Sequence, residues 1–415
     1  MSRAVLCIVL MMLSPEWASA ADARSAGAAV RALSPAVRWL AAAQRPDGGW
    51  NAAPRETEPG HEQDDHPPLL PEADSDVPDT CMASLALLRA GGSLYRPPFG
   101  DDLRRALRFV LDAVDKSEPT ALFLSQTTMP LSPRLGNHID TFLALQLLAQ
   151  VRGQCESELR ERVNGAIEKL LTKMKSNEKE DGTWGTAGNA PMLGHALGVR
   201  ALETASRAGI DVDANVIVKA EKWAMSTPAE KDEWKHNGTW RRQGASGRFV
   251  GENPANYEYY LMAARLQVLA QADRTNELEE PAVRKRFMAG KDPQELAAVM
   301  RQLGSIQTTH KTFARAEEDM LNALPRSGAA GPEIFCGEDF LGTLFIIDSL
   351  DIDAPRRCLA ATTAKVASWQ TKEGKFDSPH FSGETVFCTA AGIITLLDAN
   401  KPAEPKTRPA AAGKH

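Results

Sequence analysis

The stretch Trp39-Leu40-Ala41-Ala42-Ala43-Gln44-Arg45-Pro46-Asp47-Gly48-Gly49-Trp50 decides the fold of this chain. An apolar helical segment ends in an Asp-Gly turn, where glycine can take the left-handed backbone conformation, and the aromatic ring that follows can fold back onto the helix end. The spacing from glutamine to glycine to aromatic residue is the same in Gln370-Thr371-Lys372-Glu373-Gly374-Lys375-Phe376. Weaker copies are Asp181-Gly182-Thr183-Trp184 and Asn237-Gly238-Thr239-Trp240. The chain is therefore expected to consist of repeated helix-turn units.

A second helix of small and apolar residues follows these turns. The clearest begins Asp79-Thr80-Cys81-Met82-Ala83, with Asp79 as a suitable N-cap, and its near copy begins Asp140-Thr141-Phe142-Leu143-Ala144. Looser versions start near residues 189, 256, 339 and 388. A helix that is apolar all round is buried, so these six are expected to be inner helices. Outer helices with one apolar face are predicted over residues 27–44, 101–115, 156–175, 213–226, 309–323 and 354–370.

This pattern predicts an all-α protein folded as an α/α toroid, a closed double ring of about six inner and six outer helices. An open solenoid would need polar terminal repeats, and the first and last inner helices of this chain are as apolar as the middle ones.

Three segments fall outside the repeats. Residues 1–20 have the positive end, apolar run and small-residue cleavage site of a signal peptide, cut at Ala20-Ala21, so we expect export to the periplasm or the extracellular space. The toroid is assigned to residues 21–399 with an acidic, Pro-rich loop at 53–78, and residues 400–415 are expected to be disordered. A net charge of −6 gives no reason to expect a nucleic-acid partner, and no later apolar run is long enough to span a membrane.

The repeats resemble those of the squalene cyclase and protein prenyltransferase superfamily over roughly residues 27–399. The resemblance implies the toroid fold. Members of the superfamily carry out three kinds of chemistry: cyclisation of a terpene, transfer of a prenyl group, and formation of the internal thioester of complement-like proteins. The motif of each is compared with this sequence in turn.

Class II terpene cyclases of this superfamily carry Asp-x-Asp-Asp-Thr-Ala at an inner-helix start, and the central acid protonates an alkene. This chain reads Asp76-Val77-Pro78-Asp79-Thr80-Cys81. Asp76 and Asp79 match the first and third acids and are the candidate catalytic residues, but Pro78 has no proton to donate. The departure argues against squalene-type cyclisation. The simpler interpretation is that Asp79 is an N-cap and Asp76 a solvated loop acid.

Prenyltransferases of the superfamily place Asp-x-Cys at one inner-helix start and a histidine at the next. Asp79, Cys81 and His138 have this form, although helix alignment puts Asp140 rather than His138 at the ligand position. Such ligands can form an open zinc site, so Zn²⁺ is the possible cofactor, while no cofactor is the leading expectation. The sequence shows no cluster of Lys and Arg expected to face the ring centre and hold a diphosphate.

The remaining thiols and one histidine are further candidates. Cys336 lies in Phe335-Cys336-Gly337-Glu338-Asp339, which resembles the thioester motif, but an aspartate replaces the glutamine that would form the acyl bond. Cys336 and Cys388 begin inner helices that should be neighbours, so a disulfide, a thiol site or buried small residues all stay open. His195 is expected to line the ring interior as a ligand or, more simply, as a core histidine.

No chemical motif is complete, so the sequence favours a non-enzymatic exported toroid. It would bind or scaffold a hydrophobic small molecule or a peptide in the ring mouth. One alternative is a metal-assisted transferase or cyclase-like enzyme on an isoprenoid substrate, with Asp79, Cys81 and His138 or Asp140 as its site. The other is a cell-envelope interaction protein that acts through the acidic loop. The oligomeric state is left open.

Overall fold

A computed structural model describes residues 33–51, 75–125, 135–136, 138–184, 190–225, 254–290, 292–323, 337–349, 366–376 and 385–399. Several sequence predictions lie outside these residues and stay predictions: the signal peptide, most of the acidic loop, the turn at residues 237–240, the C-terminal tail, Cys336 and its disulfide with Cys388.

Helices make up most of the described part of the chain, and no strand longer than an isolated bridge occurs there. The inner set is α2 (Val77–Arg89), α4 (Ile139–Val151), α6 (Pro191–Arg207), α8 (Pro254–Ala289), α10 (Gly337–Ser349) and α11 (Thr385–Ala399). The outer set is α1 (33–42), α3 (Gly100–Lys116), α5 (Ser157–Asn177), α7 (Ala214–Met225) and α9 (Pro293–Ala323). Within these described helices, none combines the length and apolar character that a membrane span requires.

The inner helices form a closed ring. Each packs against the next in chain order, from α2 to α4, α6, α8, α10 and α11, and α11 returns to pack against α2. The outer helices α3, α5, α7 and α9 pack against the inner helices that adjoin them. This arrangement confirms the α/α toroid that the repeats predicted.

The start of α2 differs in detail from the sequence prediction. Asp76, not Asp79, is the N-cap, because its Oδ1 accepts a hydrogen bond of 2.8 Å from the amide of Asp79. Pro78 lies in the first turn of the helix, where an amide hydrogen would have no intrahelical partner in any case. The proline therefore has a structural explanation at the position where the superfamily's cyclases carry their acid.

Glycine turns join successive outer helices by direct backbone contact. Gly48, Gly182 and Gly374 have φ angles of 90°, 81° and 98°, in the left-handed region that favours glycine. A Cβ atom added to Gly374 would lie 2.7 Å from the backbone of Pro35 in α1. The last turn thus packs on the first outer helix, while Gly48 and Gly182 meet the backbones of Arg105 and Lys219 in the same way.

The flanking residues of the repeat hold each turn in place. Nε2 of Gln44 donates to the carbonyl of Gly48 over 2.8 Å, and Nε2 of Gln370 donates to Gly374 over 2.7 Å. The inner-helix threonine completes the unit. Oγ1 of Thr80 accepts from the amide of Trp50 over 2.9 Å, and a bond of the same length joins Thr389 to Phe376. The repeated residues therefore fix an outer helix, a turn and an inner helix to one another.

The helix pair α8 and α9 extends beyond what the sequence predicted. The expected outer helix at residues 309–323 is too short, because α9 begins at Pro293, and α8 continues to Ala289 through an internal Pro281. Residues 277–308 are called the arm below. Its packing is separate from the main core: Val283, Val299 and Ile306 form their own buried cluster. By contrast, Phe313 and Met320 of α9 join the core of the ring.

We expect Gly374→Ala to destabilise the fold by about 2 kcal/mol or more, because alanine is strained at positive φ and its methyl group would collide with the backbone of Pro35. Gly165→Ala is the matched control, since Gly165 lies in α5 and an added Cβ meets nothing within 4 Å. Its expected effect is a stabilisation of about 0.5–1 kcal/mol. Urea unfolding followed by circular dichroism measures both, and equal stabilities of the two variants would contradict the closure contact.

Candidate functional site

Three carboxyl groups lie near one another at the N-terminal ends of α2 and α4. Asp76 caps α2, and its carboxyl also makes a side-chain hydrogen bond with Asp79. Asp79 is 2% exposed and Asp140, in the first turn of α4, is fully buried. The charge of Asp140 acts on both Asp76 and the thiol of Cys81. The structure therefore brings the two candidate catalytic acids together with Asp140 and Cys81; this is called the acid cluster below.

Asp140 is held by a loop rather than opened to a cavity. Its Oδ2 accepts hydrogen bonds from the amides of Leu124, at 2.8 Å, and Ser125, at 3.2 Å, and its Oδ1 accepts from Thr141 at 2.6 Å. The buried ammonium of Lys173 in α5 fixes this loop in turn, because it donates to the carbonyl of Ala121 over 2.7 Å and also to that of Glu118. The loop covers the acid on the outer side.

Burial has the largest effect on the pKa values of Asp76, Cys81 and Asp140 in the acid cluster. It raises the pKa of Asp76 to about 7 and that of Asp140 to about 7, although the hydrogen bonds that each carboxylate accepts act in the opposite direction. Burial also raises the pKa of the Cys81 thiol, and the charges of Asp140 and Asp76 add to this effect. The thiol is thus kept protonated, which opposes both nucleophilic reactivity and metal ligation.

The proposed zinc ligands are not arranged as a metal site in the described residues. No three His, Cys, Asp or Glu side chains in the described residues are arranged as a metal-binding group, and Asp79, Cys81, His138 and Asp140 all belong to those residues. The ring of His138 instead packs edge-on against Phe142, with centroids 5.1 Å apart, and its Nε2 faces Gly194 of α6. Burial lowers the pKa of His138 to about 4, so the imidazole is neutral.

His195 does not line the ring interior, contrary to the sequence prediction. Its ring packs between Trp184 and Trp223, with centroid distances of 5.4 Å and 4.5 Å, and only 1% of the residue is exposed. The reason lies in the repeat. Three residues after His195, Gly198 makes room for Trp184, just as Gly392 makes room for Phe376 three residues after Thr389. His195 therefore occupies the threonine position of its unit and points toward the turn and the outer helix.

The centre of the ring contains a cavity of only about 10 Å³, roughly the room that one water molecule needs. Every inner helix except α8 contributes to its lining. The apolar residues of the lining are Met82, Leu85, Leu197, Leu341, Leu344, Phe345 and Ile394, and the polar ones are Arg89, Gln146, Gln150 and Arg200. Neither the residues of the acid cluster nor His138 and His195 line this cavity.

An ion pair joins two inner helices that are not neighbours in the ring order. Nη1 of Arg200 in α6 lies 3.4 Å from Oδ2 of Asp348 in α10, and α8 lies between these two helices in the ring order. The guanidinium of Arg200 also lies over the ring of Phe345, 6.0 Å from its centroid. Arg274 reaches the same carboxylate at 3.8 Å. These side chains join α6, α8 and α10 to one another, and of them Arg200 and Phe345 line the central cavity.

Sequence reasoning missed these central residues. It considered only whether a cluster of Lys and Arg could hold a diphosphate and did not single out Arg89 or Arg200, which both line the cavity and are paired, Arg89 with Asp398 at 3.5 Å. The available signal was a polar residue inside an otherwise apolar inner helix, such as Arg200, or Gln146 and Gln150 spaced by one helical turn.

The raised pKa of Asp140 makes a prediction about stability. The folded protein holds the Asp140 proton up to about pH 7, whereas the carboxyl of the unfolded chain loses its proton near the ordinary pKa of 3.8. The contribution of Asp140 to the free energy of unfolding is therefore greatest below about pH 4 and is lost as the pH rises to about 7. We expect Asp140→Asn to gain stability over the wild type across this window, by at most about 4 kcal/mol.

Urea unfolding of both proteins between about pH 4 and pH 7.5 measures this difference. Asp211→Asn is the control, because Asp211 is exposed and its replacement should leave the difference from wild type unchanged over the window. A pH-independent difference for Asp140→Asn would show that Asp140 is ionised in the folded protein.

Comparison with known proteins gives structural matches only. No family model and no curated protein matches the chain. The structure of a variant of the type II terpene cyclase MstE from Scytonema, in complex with geranylgeranyl dihydroxybenzoate as substrate, matches with 17% identity and a TM-score of 0.42, covering 91% of this chain and 98% of that one. An apo structure of another MstE variant matches with 15% identity and a TM-score of 0.41 over the same shares. The assignment of the toroid rests on the helix contacts of this chain.

Proposed function

We propose that this protein is a non-catalytic toroid that acts as a scaffold, with a terpene cyclase-like ring whose interior is closed. The observation that carries the proposal is the separation of the acid cluster from a central cavity that is itself too small for an organic ligand. Ligand sites in proteins are clefts of roughly 300–1,000 Å³, and this cavity is about 10 Å³. A hydrophobic small molecule inside the ring is therefore the less favoured occupant.

The state of the acids supports the same conclusion. Acid-catalysed cyclisation needs a proton donor in contact with the reacting alkene. Asp76 and Asp79 are hydrogen-bonded to each other, and Asp140 accepts three backbone amides. All three lie at helix starts, outside the lining of the cavity, and the loop at residues 117–125 binds Asp140. Pro78 occupies the position of the superfamily's proton donor, and none of these three acids lines the central cavity.

The proposal includes export, which rests on the sequence of residues 1–20 alone. The partner of the scaffold is then a peptide or protein at the ring's outer surface. The acidic segment at residues 53–78 stays a candidate contact by its composition.

The test is a turnover assay. Purified protein is incubated with squalene and, separately, with geranylgeranyl diphosphate, next to an active type II terpene cyclase as positive control, and extracts are analysed by gas chromatography with mass spectrometry. We expect no cyclic product and no release of diphosphate.

Asp76→Asn and Asp79→Asn are assayed in parallel with the wild type. A cyclic product from the wild-type protein that either substitution abolishes would overturn the proposal, because it would place these acids at a working site. A product that both variants form at the wild-type rate would be traced to a contaminating enzyme or to uncatalysed reaction, and the proposal would stand.

A further inference from the structure

The polar residues that line the central cavity lie in two layers that follow from the repeat. The threonine position of the inner helices is held by Thr80, Thr141, His195 and Thr389. Gln146 and Arg200 stand five residues after this position, and Arg89 and Gln150 stand nine residues after it. Because the inner helices repeat one unit of the toroid, equal spacing along the helices gives equal depth in the ring. Gln146 and Arg200 are called the deep layer below, and Arg89 and Gln150 the rim.

Exposure to solvent agrees with this order of depth. Gln146 is 5% exposed and Arg200 is 6% exposed, whereas the side chain of Arg89 is 30% exposed. Gln150 is half-buried like Arg89. A guest of the cavity would therefore enter past the rim and come to rest against the deep layer.

The deep layer contains a hydrogen-bond donor without an acceptor. Nη1 of Arg200 is buried and donates to no atom of the described residues, although Oδ2 of Asp348 lies 3.4 Å away. The carboxamide of Gln146 also makes no hydrogen bond within that part of the chain. Buried polar groups in folded proteins nearly always have a hydrogen-bond partner, so these two side chains call for an acceptor inside the cavity.

The charges next to the cavity favour an acceptor that is negative. Arg89 pairs with Asp398 at 3.5 Å. Arg200 and Arg274 both approach Oδ2 of Asp348, at 3.4 Å and 3.8 Å, so three guanidinium groups share two carboxylates. Arg89 and Arg200 line the cavity, whereas neither aspartate does.

Further charges near the ends of the inner helices are paired elsewhere. Glu203 of α6 pairs with Arg207 at 3.0 Å, and Asp273 of α8 contacts His310 of α9. None of these four residues lines the cavity. The lining therefore offers a guest guanidinium groups and amide donors, but no carboxylate.

We propose that the central cavity binds one small inorganic anion of the size of chloride, held by Nη1 of Arg200 and the carboxamide of Gln146. A space of about 10 Å³ takes a guest about as large as a water molecule, which admits a halide and leaves out sulfate, phosphate and carboxylates. Water would gain only its hydrogen bonds there, whereas an anion also gains from the guanidinium charges. The bound ion joins α4 to α6 and leaves the ring closed, so the site is compatible with the scaffold function and does not depend on it.

The chloride dependence of stability in the intact protein tests the proposal. Urea unfolding is followed by circular dichroism while sodium chloride replaces sodium gluconate at constant ionic strength, because gluconate is too large for the cavity. We expect the equilibrium constant of unfolding to fall at least about fivefold between about 1 mM and about 200 mM chloride, which corresponds to a Kd of about 50 mM or tighter. Bromide should act like chloride.

Two substitutions remove the donors of the deep layer while roughly keeping the side-chain volume. Arg200→Met and Gln146→Leu should each reduce the chloride effect on the unfolding constant to less than about twofold. Arg265→Met is the matched control, because Arg265 is an α8 arginine that donates to the carbonyl of Ala224 over 2.9 Å and does not line the cavity. This variant should keep the full chloride effect. Circular dichroism checks that every variant is folded.

A wild-type protein whose stability does not respond to chloride would overturn the proposal, because the cavity then holds water only. A chloride effect that persists in Arg200→Met also contradicts it, since the ion then binds elsewhere. If Arg200→Met does not fold, Gln146→Leu decides in the same way. Anomalous diffraction from crystals soaked in sodium bromide locates the ion directly. We expect a bromide peak beside Nη1 of Arg200, and peaks confined to the outer surface would count against the site.

Discussion

The ring depends on one contact, the packing of a glycine turn directly on the backbone of the next outer helix. Gly48 meets Arg105, Gly182 meets Lys219 and Gly374 meets Pro35 in this way. Because backbone touches backbone, the spacing of successive outer helices is set by the peptide chain and not by side chains of varying length. Repeated units of equal spacing can return to their starting point. The contact of Gly374 with Pro35 is that return, and it joins residues from opposite ends of the folded chain.

The same geometry explains why the acids are enclosed. Each turn delivers an aromatic residue to the start of an inner helix, where Thr80 or Thr389 binds the amide of that residue. The inner-helix starts are thus covered by turns and loops, and the carboxyl groups there lose their water. In a dry site a carboxyl stays protonated near neutral pH, which is a property that acid catalysis also needs. At Asp140 the dryness comes with the loop at residues 117–125, which supplies two of the amides that bind the carboxylate, and this acid lies outside the lining of the central cavity.

The sequence was sufficient for the fold because the repeat is local: glutamine, glycine and aromatic residue are close in the chain, and their spacing specifies the turn. It was less informative about the site, which depends on where helices from distant units meet. His195 shows this, since only its register with Thr80 and Thr389 reveals that it points toward Trp184 and away from the centre. The pairing of Arg200 with Asp348 joins two helices that are not neighbours in the ring, so nothing local indicates it. The arm lies outside the repeat of glutamine, glycine and aromatic residue, so that repeat does not indicate it, and α8 continues through Pro281 to Ala289.

The small central cavity sets a condition on any ligand of the ring. A buried ion pair such as Arg200 with Asp348 contributes little net stability but fixes geometry, because moving either helix would leave a charge unpaired. The ring is therefore held from inside by this pair and from outside by the glycine turns, and an organic ligand in the centre would have to displace both an ion pair and packed side chains. Under the proposed scaffold function, a partner binds to parts of the molecule that can change their surroundings without opening the ring. Among the described residues the arm has that character: its own small core of Val283, Val299 and Ile306 is separate from the main core, and its exposed methionines can be covered while every contact of the ring is kept.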